Sequence, residues 1–127
     1  MPIRRSPLTL KLSAFVALGA EDLETLARFH RRRRTFLAGH TMISEGQNNT
    51  SAFILAEGWA CSFKLLPDGE RQIVDFQVPG DFLGLRSILL RTSDHSTEAV
   101  TQIEASEVLV SDLLDGFATA PRLATAI

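Results

Sequence analysis

Cysteine is almost missing from this sequence: 127 residues contain one, Cys61. A lone cysteine forms no internal disulfide, and by itself it holds neither a zinc ion nor an iron–sulfur cluster. A reducing, cytoplasmic setting is the expectation. No apolar run reaches the roughly 18 residues that a membrane span requires, so no membrane partner is expected. Low-complexity tracts are lacking, as are a P-loop and a glycine-rich nucleophile elbow. His30, His40 and His95 stand far apart, with no His-x-His pair and no glutamate at ligand spacing. Asp94, His95 and Ser96 are the residue types of a hydrolase triad. Consecutive residues do not generally chain their side chains as nucleophile, base and orienter. The residues therefore point away from an enzyme.

What is present suffices for a single domain over 1–127. Hydrophobic residues make up 45% and charged residues 22%, ordinary proportions for a soluble globular chain with its own core. The net charge of −2 hides an asymmetry. Residues 1–40 carry eight Arg/Lys and three acids, whereas residues 41–127 carry five and twelve. The acidic part would repel a phosphate backbone, so direct DNA binding by this chain is not expected.

Gly46, Gly58, Gly69 and Gly80 recur at intervals of 12, 11 and 11 residues, with β-branched and aromatic runs between them. That rhythm predicts a mainly β fold, an antiparallel β-roll of jelly-roll type with about eight short strands. The hairpin of Trp59 to Leu66 with Arg71 to Gln77 is the firmest element. Pro67–Asp68–Gly69 between them presets φ and supplies a left-handed position. Further strands are expected at Phe53–Leu55, Phe36–Leu37, Met42–Ile43, Thr97–Ile103 and Glu107–Val110. A helical turn is expected over Leu85–Leu90, and a polar loop over Thr92–Ser96.

Helices are expected at both ends, over 1–34 and 113–127, flanking a roll at 35–112. Leu23, Leu26, Ala27 and His30 mark one face of an amphipathic helix. Acids stand at its start and Arg31 to Arg34 at its end, placements that complement the helix dipole. The four arginines are read as a solvated passage into the first strand rather than a nucleic-acid patch. Asp112 is expected to cap a helix with Leu113, Leu114 and Phe117, and Pro121 to open another with Leu123 and Ile127 on one face. Arg4, Arg5 and Lys11 before the apolar stretch Leu12–Ala20 imitate a secretory signal. That stretch is short and runs into a helical pattern, so an internal helix is expected.

Pro79-Gly80-Asp81-Phe82-Leu83-Gly84, followed by an apolar helical turn and Asp94-His95-Ser96-Thr97, resembles the phosphate-binding cassette of the Crp/Fnr family. The resemblance extends upstream through Glu45–Gly46, Glu57–Gly58 and Asp68–Gly69, and covers about Gly39 to Asp112. These bacterial transcription regulators carry a cyclic-nucleotide-binding-type β-roll. The resemblance implies the same roll here, as the sensor of a small-molecule effector. It also implies DNA binding through a C-terminal helix-turn-helix domain that this chain does not contain, and a homodimer in the full-length protein. The chain is accordingly expected to be a fragment or a naturally shortened protein.

The implied effector site comprises Gly84, Leu85, Arg86, Ser87, His95, Ser96 and Thr97. In members that bind cyclic AMP, an acid after the last glycine holds the ribose hydroxyl, and an arginine one loop later neutralises the phosphate. Here those positions are Leu85 and His95. Leucine accepts no hydrogen bond, and histidine lacks the permanent charge and bidentate fork of arginine. Two such losses would weaken binding by orders of magnitude. Tight cyclic AMP binding is thus disfavoured, no cofactor is expected, and the chain is similar to the Fnr/FixK-like branch. Arg86 and Arg91 are the cations able to replace the missing charge, though both are expected to be solvated.

Two alternatives stay open: a stand-alone cyclic-nucleotide-binding module that regulates a partner, and a cupin-type metal-dependent enzyme, whose His-rich metal set is missing here. Haem ligation by His95 is a minor variant. Cys61 and Trp59 are expected to pack, not to act as a redox sensor or a base-stacking platform.

Overall fold

A computed structural model describes residues 3–14, 16–46, 51–85, 95–121 and 123. After a single 3-10 turn at Ile3–Arg5 come α1 (Pro7–Ser13) and α2 (Ala20–Phe29). The strands follow as β1 (Arg33–Phe36), β2 (Thr41–Ile43), β3 (Ser51–Glu57), β4 (Ala60–Leu65), β5 (Arg71–Gln77), β6 (Phe82–Leu83), β7 (Ser96–Ala99) and β8 (Ile103–Leu109). A last helix, α3, spans Val110–Thr119. All pairings are antiparallel, in two four-stranded sheets of order β1-β8-β3-β6 and β2-β7-β4-β5. This is the expected β-roll flanked by helices.

Side-chain alternation along β3 divides the interior into two cores. Ala52 and Ile54 face the helices, where they join Leu8, Leu12, Leu26 and Phe29. Phe53 and Leu55 point into the roll beside Phe36, Ile43 and Ile103. β3 is thus buried on both faces, which is why it reads as an unbroken apolar run. Each fully buried aliphatic or phenylalanine side chain contributes roughly 1.5–3 kcal/mol.

At the N-terminus, the Ser6 hydroxyl accepts from the Thr9 N–H at 3.2 Å and Pro7 opens α1, so the helix starts where its caps demand. The apolar run Leu12–Ala20 is not one helix. α1 ends at Ser13, and α2 begins at Ala20 behind Gly19, whose N–H donates to Asp22 Oδ2 at 2.9 Å. The buried face of α2 runs through Asp22, Leu23, Leu26 and Phe29; Ala27 is exposed. Leu23 and Leu26 are buried as expected, and Phe29 rather than Ala27 completes the face, its ring meeting Phe117 of α3 edge-on at 6.0 Å.

β1 begins at Arg33, earlier than the expected Phe36. Arg33 and Arg34 are exposed on it, and Arg34 reaches Glu107 at 3.4 Å while lying over the Phe36 ring. The β4–β5 hairpin forms as read, with Gly69 N–H donating to Leu66 O at 2.9 Å. The four rhythmic glycines all take positive φ, between 82° and 97°. For Gly58 the requirement is also steric. A Cβ there would lie 2.3 Å from the Gln102 carbonyl oxygen.

That contact marks where the expected strands Thr97–Ile103 and Glu107–Val110 need correction. The break falls at residues 100–102 instead, because the chain crosses there from the second sheet to the first. Val100 and Thr101 N–H groups both donate to Trp59 O at this corner. α3 starts at Val110, two residues before Asp112, with no side-chain cap; Asp112 sits in its first turn. Leu113 is buried and Leu114 exposed. Pro121 and Leu123 are helical and Leu123 is buried, while Ile127 and all of Leu85–Leu90 past Leu85 lie outside the described residues.

Candidate functional site

The Pro79–Gly84 segment is zipped onto β3. Gly80 N–H donates to Leu55 O at 2.8 Å, Leu55 N–H to Asp81 O at 3.0 Å, and β6 pairs Leu83 with Phe53. Asp81 closes the turn by accepting from Val78 N–H at 2.9 Å through Oδ2. Its other oxygen binds Lys11 Nζ at 2.8 Å, which ties α1 to the same turn. Gly80 lets α1 come this close, since a Cβ would meet Pro7 O at 3.1 Å.

Between this turn and the second sheet lies a cavity of about 730 Å³. Four of the predicted site residues line it: Gly84, Leu85, His95 and Thr97. Ser96 does not. It is buried, and its hydroxyl accepts from the Glu45 N–H at 2.9 Å. The reason is strand geometry, because residues on either side of Ser96 face the opposite way. Arg86, Ser87 and Arg91 lie outside the described residues.

The sequence reading missed the opposite wall, built by Ser62 and Lys64 on β4 and by Asp75 and Gln77 on β5. A bulge places Asp75 opposite Ser62 and Ile73 opposite Phe63, leaving Val74 as the extra residue. The sequence carries half of that signal: polar Ser62, Lys64, Asp75 and Gln77 alternate along the hairpin, which puts them on one face without saying what the face meets.

His30 caps α2, and its Nδ1–H donates to Leu26 O at 2.6 Å. Burial pulls its pKa below the usual 6.5. The Leu26 hydrogen bond partly opposes that shift, and the nearby Arg33 charge adds to it. His40 is exposed in a turn. Cys61 is half-buried on β4; burial raises its pKa, Glu98 raises it further and Arg71 opposes them. Its thiol is therefore held protonated, the behaviour of a packing residue. Trp59 packs at an edge, 5.5 Å from the Phe76 ring. Among the described residues no three His, Cys, Asp or Glu side chains cluster as a metal site, and no helix is long and apolar enough to cross a membrane.

Comparison with known proteins gives the same placement. The nitrogen fixation regulation protein FixK of Bradyrhizobium diazoefficiens is 52% identical over 69 residues, 54% of this chain and 29% of that protein. The transcriptional activatory protein AadR of Rhodopseudomonas palustris is 43% identical over 68 residues, 54% of this chain and 28% of its own length. Both are regulators rather than enzymes, and the chain spans under a third of either. The Thermus thermophilus catabolite activator protein superposes with a TM-score of 0.79 at 24% identity, covering 95% of this chain and 54% of that one, which shows a shared fold. Residues 33–119 match the cyclic nucleotide-binding domain model, from β1 to the end of α3. The chain belongs to the cyclic nucleotide-binding domain family.

Proposed function

We propose that this chain is the effector-sensing domain of a Crp/Fnr-type transcription regulator that does not hold cyclic AMP tightly. The observation that carries the reading is the pair Leu85 and His95, both lining the cavity at the positions where cyclic AMP-binding members place an acid and an arginine. Leu85 offers no acceptor for a ribose hydroxyl, and His95 offers no guanidinium fork for a phosphate. Relatives such as FixK and AadR support the regulatory role.

DNA contact belongs to another part of such a regulator, since residues 41–127 carry twelve acids against five Arg/Lys. A homodimer in a cytoplasmic full-length protein completes the proposal. Effector occupancy of the roll would bias the packing of its flanking helices and so the DNA-binding dimer. The family match itself favours one second reading, a stand-alone cyclic-nucleotide module that regulates a partner.

Isothermal titration of the chain with cyclic AMP at neutral pH is the test. Affinity weaker than micromolar is expected; a submicromolar Kd overturns the proposal.

A further inference from the structure

A second cavity, of about 210 Å³, lies where the 3-10 turn and the start of α1 meet the end of α2 and the strands β1 and β3. It shares no lining residue with the larger cavity. Ile3, Pro7, Ala27 and Ala56 make its walls mainly apolar. Of the polar side chains that line it, two are already committed. Ser6 Oγ donates to Thr9 Oγ1 at 2.7 Å and accepts from the Thr9 N–H at 3.2 Å. His30 Nδ1 is bonded to Leu26 O and its Nε2 is buried, so neither ring nitrogen is open to a ligand. Arg33 differs from both. It is exposed, and its guanidinium makes no ion pair or hydrogen bond among the described residues. Alternation along β1 turns Arg34 over the Phe36 ring and Arg33 to the other face, where this cavity lies.

Charge at this corner has one dominant sign. Within three positions of a lining residue the sequence places Arg4, Arg5, Arg28, Arg31, Arg32 and Arg34 against Glu24 and Glu57, and neither acid lines the cavity. Arg34 is paired with Glu107. Outside the described residues the sequence holds a single acid, Asp94, and that residue adjoins His95 of the larger cavity. An exposed guanidinium beside an apolar hollow selects a head and a body together. Its planar fork accepts a carboxylate through two parallel N–H bonds. The walls cover an apolar body, which a wholly polar anion such as phosphate lacks. An apolar cavity of about 150 Å³ holds benzene, so this one admits a body of about five or six carbons.

We propose that this hollow is a second ligand site, which takes a short-chain aliphatic monocarboxylate with its head on the Arg33 guanidinium and its chain against Ile3, Ala27 and Ala56. The site stands independently of the effector reading of the larger cavity. Its ligand touches the 3-10 turn, α2, β1 and β3 at once, and so fastens the helical cap to the sheet.

The test is an NMR titration of the whole chain with hexanoate, with its neutral counterpart hexanamide and with inorganic phosphate, repeated on Arg33→Gln, Ala27→Leu and Arg32→Gln. Hexanoate is expected to saturate with a Kd of about 1 mM or below, in keeping with its size, and to move the amide signals of Arg33 and Ala27. Hexanamide and phosphate should each bind at least about tenfold more weakly. Arg33→Gln removes the fork and Ala27→Leu fills the hollow, so each should lose at least about tenfold in hexanoate affinity while keeping the dispersed spectrum of the parent. Either variant decides the matter if the other fails to fold. Arg32 is exposed and does not line the cavity, so Arg32→Gln should stay within about twofold of the parent. Hexanoate binding weaker than about 1 mM, or undiminished in a folded Arg33→Gln or Ala27→Leu chain, overturns the site. Hexanamide or phosphate binding as tight as hexanoate overturns the ligand class. A loss in Arg32→Gln equal to that in Arg33→Gln also overturns the site, because diffuse attraction to the arginines then accounts for the binding.

Discussion

β3 and β5 are each seven residues long, and both mix aliphatic residues with a phenylalanine. In β3 the run Ala52 to Leu55 is buried throughout; in β5 every residue but Gln77 is exposed. Ile54 is 1% exposed and Ile73 56%. The difference comes from position in the sheets. β3 lies between β8 and β6, with helices over one face and the roll interior against the other. β5 is an edge strand paired only with β4. Its edge is blunted by a bulge at Val74 and by Arg71 and Asp75, the usual protections against strand-to-strand association. Similar apolar side chains thus do different things: in β3 they hold two layers together, and in β5 they stay exposed on a strand whose Asp75 and Gln77 line the cavity.

That contrast can be broken experimentally. The largest effect is expected for Ile54→Ala, which opens a void between α1 and β3 and should cost about 2–5 kcal/mol in urea unfolding. A loss near zero would mean that the helical side is not part of the cooperative unit. A smaller effect is expected on the same side from pH. The folded state holds His30 below its unfolded value of 6.5, so the unfolded chain takes up more protons as pH falls. Stability should therefore decline as pH drops through 6.5 towards the lowered folded value, and level off below it. His30→Gln should flatten the urea midpoint in that window, and an unchanged slope would show that His30 is not the group responsible. The smallest effect is expected for Ile73→Ala on β5, within about 0.5 kcal/mol of the parent. A cost rivalling that of Ile54→Ala would erase the distinction between the two strands.

The hairpin and the glycine-marked turns were legible in the sequence because their rules are local. Pro67 and Gly69 restrict the backbone whatever surrounds them. The break between β7 and β8 was not legible. Val100 to Gln102 carry no turn residue, and what stops the strand is the distant Trp59 carbonyl. The start of α3 at Val110 escaped for a similar reason: its N-cap, Leu109, makes no side-chain cap, so packing against α2 replaces the usual signal.

For the site, resemblance placed Gly84, Leu85, His95 and Thr97 on one cavity but also included Ser96, which strand alternation turns towards Glu45. Ser62 and Gln77 were out of reach. Their alternation says that they share a face of the hairpin, not that the face meets Leu85.

The residues alone determined a turn-punctuated antiparallel chain, an acidic roll and helices at its ends. All of these follow from backbone preference, charge and side-chain chemistry, which act within a few residues. Only the tertiary structure decided which hairpin face lines the cavity and which strand is buried on both sides. Those outcomes depend on how two sheets close over one another, and that closure is set by contacts between residues far apart in the chain.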